Sequence, residues 1–215
     1  MTDAEQPGAA EWVPRTLSLT RLRDAAHDCE GCELWRDSTQ VVFSAGTARA
    51  RLMLVGEQPG DREDRTGEPF VGPAGRLLDG ALDAAGIRRA DVYLTNAVKH
   101  FRHHTEERGK RRIHDNPSVA HIVACHPWLE AELAAVRPRV VVCLGATAGR
   151  AVLGRPVRVT TERGHVIAQP GPDIPSAVIT VHPSALLRTR GDAGWDESFD
   201  ALVRDLVTAR EAASL

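Results

Sequence analysis

Long apolar runs are missing from this sequence, and no stretch approaches the length of a membrane span. No leader is expected either: the opening MTDAEQPGAAEWVPRTLSLT carries acidic residues and prolines where an export signal needs a basic start and an apolar segment. Both absences predict a soluble, cytoplasmic protein with no membrane partner. Cysteine is scarce, four residues at irregular spacing, which excludes a disulfide framework and leaves metal binding or simple burial. An excess of positive charge is absent as well. With 27 Lys and Arg against 29 Asp and Glu, the net charge of -2 excludes a globally basic nucleic-acid binder but not a local basic patch. No internal repeat and no low-complexity stretch is visible. The 215 residues suffice for one domain with a core that needs no disulfide or metal for bulk stability, so any cofactor serves something local.

Residues 1 to about 16, rich in Ala, Gly and Pro without apolar periodicity, read as a flexible tail, and 17–215 as a single domain. Helices are predicted near 18–28, 74–86, 118–136, just after Gly145, and at 195–212. Strands are predicted at 51–55, 91–97 and 139–144, and near 157–160, 164–168 and 177–182. Short, continuously apolar strands alternating with helices predict an α/β three-layer sandwich, a central mostly parallel sheet flanked by helices. Ligands of such sheets sit at the carboxyl ends of strands. Three strand ends here carry chemistry: Gly56-Glu-Gln-Pro-Gly60, Asn96 with Lys99 and His100, and His182-Pro-Ser184. Each alone is ordinary turn punctuation; together they point at one crevice.

Residues 99–114 form a basic loop, six Lys and Arg against two Glu, holding four of the nine histidines. A loop this long inside a compact domain is more often functional than idle. It reads either as a solvated surface or as a contact for phosphates, where Lys and Arg give affinity without sequence choice.

Cys29 and Cys32 make a C-x-x-C at a helix end. Cys125 lies on the 118–136 helix with His121 one turn earlier and His126 beside it, so zinc held by two or three Cys and a His is one reading. Cys143, inside a strand apolar on both faces, reads as core filler. A fourth ligand is then needed, and His100 beside the crevice is the candidate; an iron–sulfur cluster normally takes thiolates but accepts His.

Taken together, these residues resemble the iron–sulfur uracil-DNA glycosylases, and within them the X type. The motifs that carry the resemblance are Gly56-Glu-Gln-Pro-Gly60, Glu68-Pro-Phe-Val-Gly-Pro-Ala-Gly75, Thr95-Asn-Ala-Val-Lys99, Lys110-Arg-Arg-Ile-His114 and His182-Pro-Ser-Ala-Leu-Leu-Arg188, spread over roughly residues 18–212. The Lys110–His114 segment separates the X type from thermophile relatives that lack it and turn over normally. Where those relatives resemble a four-Cys pattern, this sequence has His100, so the resemblance implies a 4Fe-4S cluster on Cys29, Cys32, His100 and Cys125.

The resemblance further implies that a uracil is flipped from single- or double-stranded DNA into the crevice by a monomer. Phe70 would stack on the base, Asn96 would read its O4 and N3–H, and His182 would stabilise charge on the leaving base near O2. Leu186 or Leu187 would wedge into the gap, while Lys110, Arg111, Arg112, Ser184 and Arg188 would meet DNA. Cleavage passes through an oxocarbenium-like sugar, and what attacks C1′ decides the outcome. Water would give turnover, whereas a neutral imidazole would give an N-alkyl adduct with no easy exit. His114 is the implied nucleophile, its neutral form favoured by repulsion from Lys110, Arg111 and Arg112, with Glu57 supporting it and Gln58 reaching either its loop or the uracil. Asp61 is a candidate either for supporting a neighbouring site residue or for placing water. Two other readings remain: an ordinary multiple-turnover glycosylase in which His114 only binds, and a non-catalytic DNA-binding module.

Overall fold

The computed structural model describes residues 6–106, 111–171 and 173–215. Its strands are β1 (Ser44–Ala45), β2 (Leu52–Gly56), β3 (Val92–Asn96), β4 (His103–Thr105), β5 (Arg112–His114), β6 (Val140–Leu144), β7 (Val166–Gly171) and β8 (Ile174–Thr180). The α-helices are α1 (Leu19–Ala26), α2 (Asp61–Thr66), α3 (Pro73–Ala84), α4 (Val119–Val136), α5 (Gly145–Leu153), α6 (Val159–Glu162), α7 (Pro183–Arg188) and α8 (Trp195–Ala213). Among the described residues no helix is long and apolar enough to cross a membrane.

Six strands form one sheet in the order β1-β3-β2-β6-β8-β7, parallel through β3, β2, β6 and β8 and closed by an antiparallel strand at each edge. The expected α/β sandwich is therefore present. Both faces of the sheet are covered, which is why its central strands read as unbroken apolar runs rather than as alternation. Successive residues still point to opposite layers. Met53 and Val55 join Ile122, Trp128 and Cys143 on one side, while Leu52 and Leu54 join Leu78, Leu82 and Leu206 on the other. The core placement of Cys143 matches its reading as filler.

Two expectations need correction. The tail does not extend to residue 16: Gly8 N–H donates to Gly31 O at 2.8 Å and Ala9 N–H to Ala124 O at 2.7 Å, and Ala9 is buried with Trp12 and Val13 packed against the same core. These backbone bonds dock the segment without any apolar periodicity of its own. The strand expected at 157–160 is instead the single helical turn α6, where Glu162 Oε1 accepts the Arg158 N–H at 2.7 Å. Its Val and Thr residues suggested a strand, but a carboxylate four residues on captured the backbone. The long basic loop holds a hairpin, β4 paired with β5 in the register His103 with His114 and Thr105 with Arg112. Lys110 lies outside the described residues.

Candidate active site

The carboxyl ends of β2, β3, β6 and β8 open on one cleft of about 840 Å³, lined among others by Glu57, Gln58, Phe70, Asn96, His114 and His182. The β2 end is the pivot. A Cβ on Gly56 would stand 2.3 Å from Asn96 Oδ1 and 2.6 Å from Phe70 Cζ, so glycine is what lets this ring and this amide converge. The carbonyls of Gly56 and Glu57 accept the N–H groups of Ala97 and Val98, which carries the pairing of β2 and β3 past Asn96. Phe70 is held in the left-handed region, φ 57°, with its carbonyl accepting from Arg89 at 3.2 Å, and a Cβ on Gly75 would collide with that carbonyl. Strain of this kind persists only where surroundings over-determine it. We expect Gly56→Ala to fold yet lose on the order of 10²-fold in activity, the cost of misplacing reacting groups by about 1 Å; wild-type rates in that variant would disprove the convergence argument.

His182 leads into α7. Its Nδ1 accepts the Ser184 N–H at 3.1 Å and lies 2.7 Å from Ser184 Oγ, so the ring proton sits on Nε2. Burial, with His114 and Arg188 adding repulsion, pushes His182 down to about 4. The ring is neutral at physiological pH and offers an N–H donor beside Phe70, the two ring centres 6.4 Å apart. Ser184 thus orients His182.

His114, at the end of β5, reaches the cleft rim. Gln58 Oε1 accepts the Arg102 N–H at 3.2 Å, which sets the amide so that its Nε2 faces the carbonyls of Arg102 (3.2 Å) and Asp115 (3.0 Å) and His114 Nε2 at 3.0 Å. The amide's two protons are matched by the two carbonyls, and the third contact places His114 Nε2 at the rim of the cleft. Glu57 Oε1 stands 3.7 Å from the same Nε2, and its other oxygen accepts from Thr147 Oγ1 at 2.5 Å. Gln58 therefore reaches the basic loop.

Three expectations for this region change. Arg112 is not free for DNA: it binds Asp61 at 2.5 Å and Asp64 at 2.6 Å, its side chain only 13% exposed, and it lies over the Phe101 ring. Two carboxylates match its charge, so the expected repulsion against His114 does not come from this residue. Asp61, shared by Arg65 and Arg112, anchors the hairpin rather than a water. The Arg65 hydrogen bond, offset in part by desolvation and reinforced by Arg112, holds its carboxyl below the usual range. Leu186 is buried in the core, and its carbonyl accepts from Trp195 Nε1 at 2.9 Å; Leu187, half-exposed, is the one that lines the cleft, with Arg188 exposed beside it. Arg111 is exposed on the hairpin. Thr147 and Asn116 at the cleft went unremarked in the sequence. The strand-end rule, applied after Leu144 as it was after Val55, would have found Thr147.

Behind the cleft lie three buried sulfurs. Cys29 Sγ accepts from Trp128 Nε1 at 3.2 Å, Cys125 Sγ from the Lys99 N–H at 3.3 Å, and Cys32 from the backbone of Leu34. Burial pushes the Cys32 thiol up to about 11 and the Cys125 thiol up to about 12, with repulsion from the other cysteines adding to each. His100, next along the chain from Lys99, is buried too. His121 is committed elsewhere, to Ser118 through Nδ1 and to Glu33 through Nε2 at 2.7 Å. Among the described residues no three His, Cys, Asp or Glu side chains stand at metal-ligating geometry as placed.

Between the sulfurs and the cleft sits a buried ion pair. Lys99 Nζ donates to Glu132 Oε2 at 2.5 Å, Thr95 Oγ1 at 2.5 Å and Asn96 O at 3.0 Å, using all three of its protons. Glu132 also accepts from Tyr93 and Thr95, each at 2.9 Å.

Comparison with known proteins agrees with this arrangement. The profile of the uracil DNA glycosylase superfamily matches residues 43–207. A type-4 uracil-DNA glycosylase of Thermotoga maritima is 39% identical over 165 residues, 76% of this chain and 80% of its own length. One of Pyrobaculum aerophilum is 32% identical over 178 residues, 80% and 86% of the two chains. A type-5 uracil-DNA glycosylase of the same organism is 32% identical over 154 residues, 65% and 64% of the two. With three-quarters of its length matched and the cleft built from the matched segment, this chain belongs to the uracil-DNA glycosylase superfamily.

Proposed function

We propose that this protein excises uracil from DNA and ends covalently joined, through His114 Nε2, to C1′ of the sugar it leaves behind. The observation that carries the reading is the placement of that nitrogen: Nε2 stands on the rim of the cleft, 3.0 Å from Gln58 Nε2, with Glu57 across from it at 3.7 Å. A flipped base enters between Phe70 and Asn96, which reads the O4 and N3–H pattern that cytosine cannot offer. As the C1′–N1 bond breaks, its electron pair moves onto the base, and the His182 Nε2–H stabilises the resulting anion at O2. Glu57 favours the sugar cation. The His114 lone pair then forms the Nε2–C1′ bond, giving an imidazolium whose carbon–nitrogen bond water does not readily displace.

Arg112 matters to this scheme as an anchor, since its pairs with Asp61 and Asp64 tie β5, and hence His114, to α2. The test is a denaturing gel after the pure protein meets a uracil oligonucleotide. A covalent band supports the reading, and abasic product beyond one equivalent without a band would mean ordinary turnover.

The pH dependence of excision, isolated in a His114→Ala protein, follows from His182. Its pKa is depressed, so the neutral donor persists down to about pH 4. Excision should hold from pH 8 to near pH 5 and fall only as pH approaches 4, where protonation of Nδ1 breaks the bond from Ser184. A fall centred near 6.5 would contradict it. Stability moves the same way: the unfolded histidine takes up its proton near 6.5 and the folded one near 4, so this group's contribution declines as pH drops through that window.

A 4Fe-4S cluster on Cys29, Cys32, Cys125 and His100 belongs to the same proposal. Three buried sulfurs each meet an N–H donor, and Cys32 and Cys125, raised by burial and by their neighbours, would become thiolates only beside a cation; the iron of a cluster would supply that charge. Bound there, it would cross-link the N-terminal segment, the turn after β3 and α4. The protein should be brown, with iron and sulfide in equal amount, and Cys29→Ser should lose colour and thermal stability together. A colourless, zinc-containing protein would overturn this part.

A further inference from the structure

Beyond Leu187 the cleft continues into a second groove of about 380 Å³, with Pro73 and Leu187 shared between the two. One wall is aromatic: Trp195 and Phe199, both on α8, stack with centres 5.4 Å apart and planes 14° from parallel. The Trp195 ring is fixed by its bond to Leu186 O, so it is tied to the very turn that presents Leu187 to the cleft. The other walls are cationic. Arg76 on α3 and Arg190 just after α7 are exposed, and among the described residues neither guanidinium has an ion-pair or hydrogen-bond partner.

Gly80 gives an independent sign. It sits inside α3, on the exposed face that lines the groove, and a Cβ there would meet nothing within 4 Å. Glycine in a helix interior is unfavourable relative to alanine, and here neither packing nor backbone angle requires it. A longer side chain at this position would occupy the groove.

We propose that the groove is a subsite for the nucleotide next to the uracil in single-stranded DNA, its unpaired base against the Trp195–Phe199 pair and its phosphates between Arg76 and Arg190. The inference rests on the reading of the main cleft as the seat of the excised base, to which the groove is joined at Leu187 and Pro73. Aromatic stacking next to paired cations is how single strands are held without sequence choice, because every base has a π-face. In a duplex the neighbouring base is paired and stacked, and cannot enter.

The full-length protein is tested in two assays. Binding of a labelled oligothymidylate is followed by anisotropy, and single-turnover excision is measured on a uracil 20-mer as a single strand, as a duplex, and with abasic spacers flanking the uracil. Trp195→Leu should weaken oligothymidylate binding about tenfold. Arg76→Ala with Arg190→Ala should lower the salt slope by about 1.4, some 0.7 per lost contact. Gly80→Glu, which fills the groove, should reproduce the loss while melting no lower than wild type, which keeps the test independent of any damage at Trp195. All should slow excision on the single strand; Trp195→Leu should leave the spacer substrate, which lacks the neighbouring base, unchanged, whereas the arginine pair should slow that substrate too, because the spacer keeps its phosphates. If the wild type releases uracil and these variants match it on every substrate, the groove proposal fails and the glycosylase reading stands. Equal losses on duplex and single strand would also overturn it. If the wild type releases no uracil, the glycosylase reading fails, and the oligothymidylate comparison still decides the groove.

Discussion

His114→Ser should abolish the covalent band on a denaturing gel while uracil release continues. In the proposed mechanism the two outcomes separate because different groups serve them. Departure of the base depends on His182, whose Nε2–H faces the cleft, and on the fit of the base between Phe70 and Asn96; none of these touches the serine hydroxyl that replaces the imidazole. Capture of the sugar depends on a lone pair at C1′, and a serine with no adjacent base is a poor nucleophile. The vacated space admits water, so product should accumulate beyond one equivalent with Glu57 across from it. His182→Ala gives the opposite pattern: release falls by on the order of 10²–10³-fold, the usual cost of one donor to a developing anion, and the adduct falls with it because no cation is formed to trap. Should His114→Ser still give the band, the nucleophile is another residue and the Gln58 contact has a different meaning. Should it lose release as well as the band, His114 is needed for bond breaking itself.

The division between what the sequence revealed and what it hid follows from how far each feature reaches. The parallel strands were legible because burial on both faces leaves an apolar run no helix of that length would show, and the strand-end rule then located Glu57, Asn96 and His182 at one cleft. The β4–β5 hairpin was hidden: its residues are polar, and what holds it is Arg112 against Asp61 and Asp64, some fifty positions earlier. The same long-range pairing turned a presumed phosphate contact into an anchor. Leu186 and Leu187 were indistinguishable in a string; only the direction of α7 against α8 assigns one to the core and the other to the cleft. The docking of Ala9 rests on backbone bonds, which carry no side-chain signature.

Lys99→Met should cost about 3–5 kcal/mol in a denaturant titration, the penalty for leaving a buried charge without its partner. That is a large share of the roughly 5–15 kcal/mol that holds a domain together. Both members of the pair are fully enclosed, Lys99 at 1% and Glu132 at 0% exposure, so water cannot replace either. Burial pushes the Glu132 carboxyl upward, and Lys99 foremost among its neighbours opposes that shift. The double variant Lys99→Met with Glu132→Leu should lose less than the single one, because no charge is then stranded. A single variant within about 1 kcal/mol of wild type would show that water or another cation reaches the site. The effect should extend beyond stability. Lys99 Nζ holds the backbone carbonyl of Asn96 while its own backbone N–H donates to Cys125 Sγ, so one residue ties the Asn96 end of β3 to a buried sulfur. Loss of the Lys99 side chain should raise KM for uracil DNA through a loosened Asn96, whereas Thr147→Val, which frees only Glu57, should act on kcat.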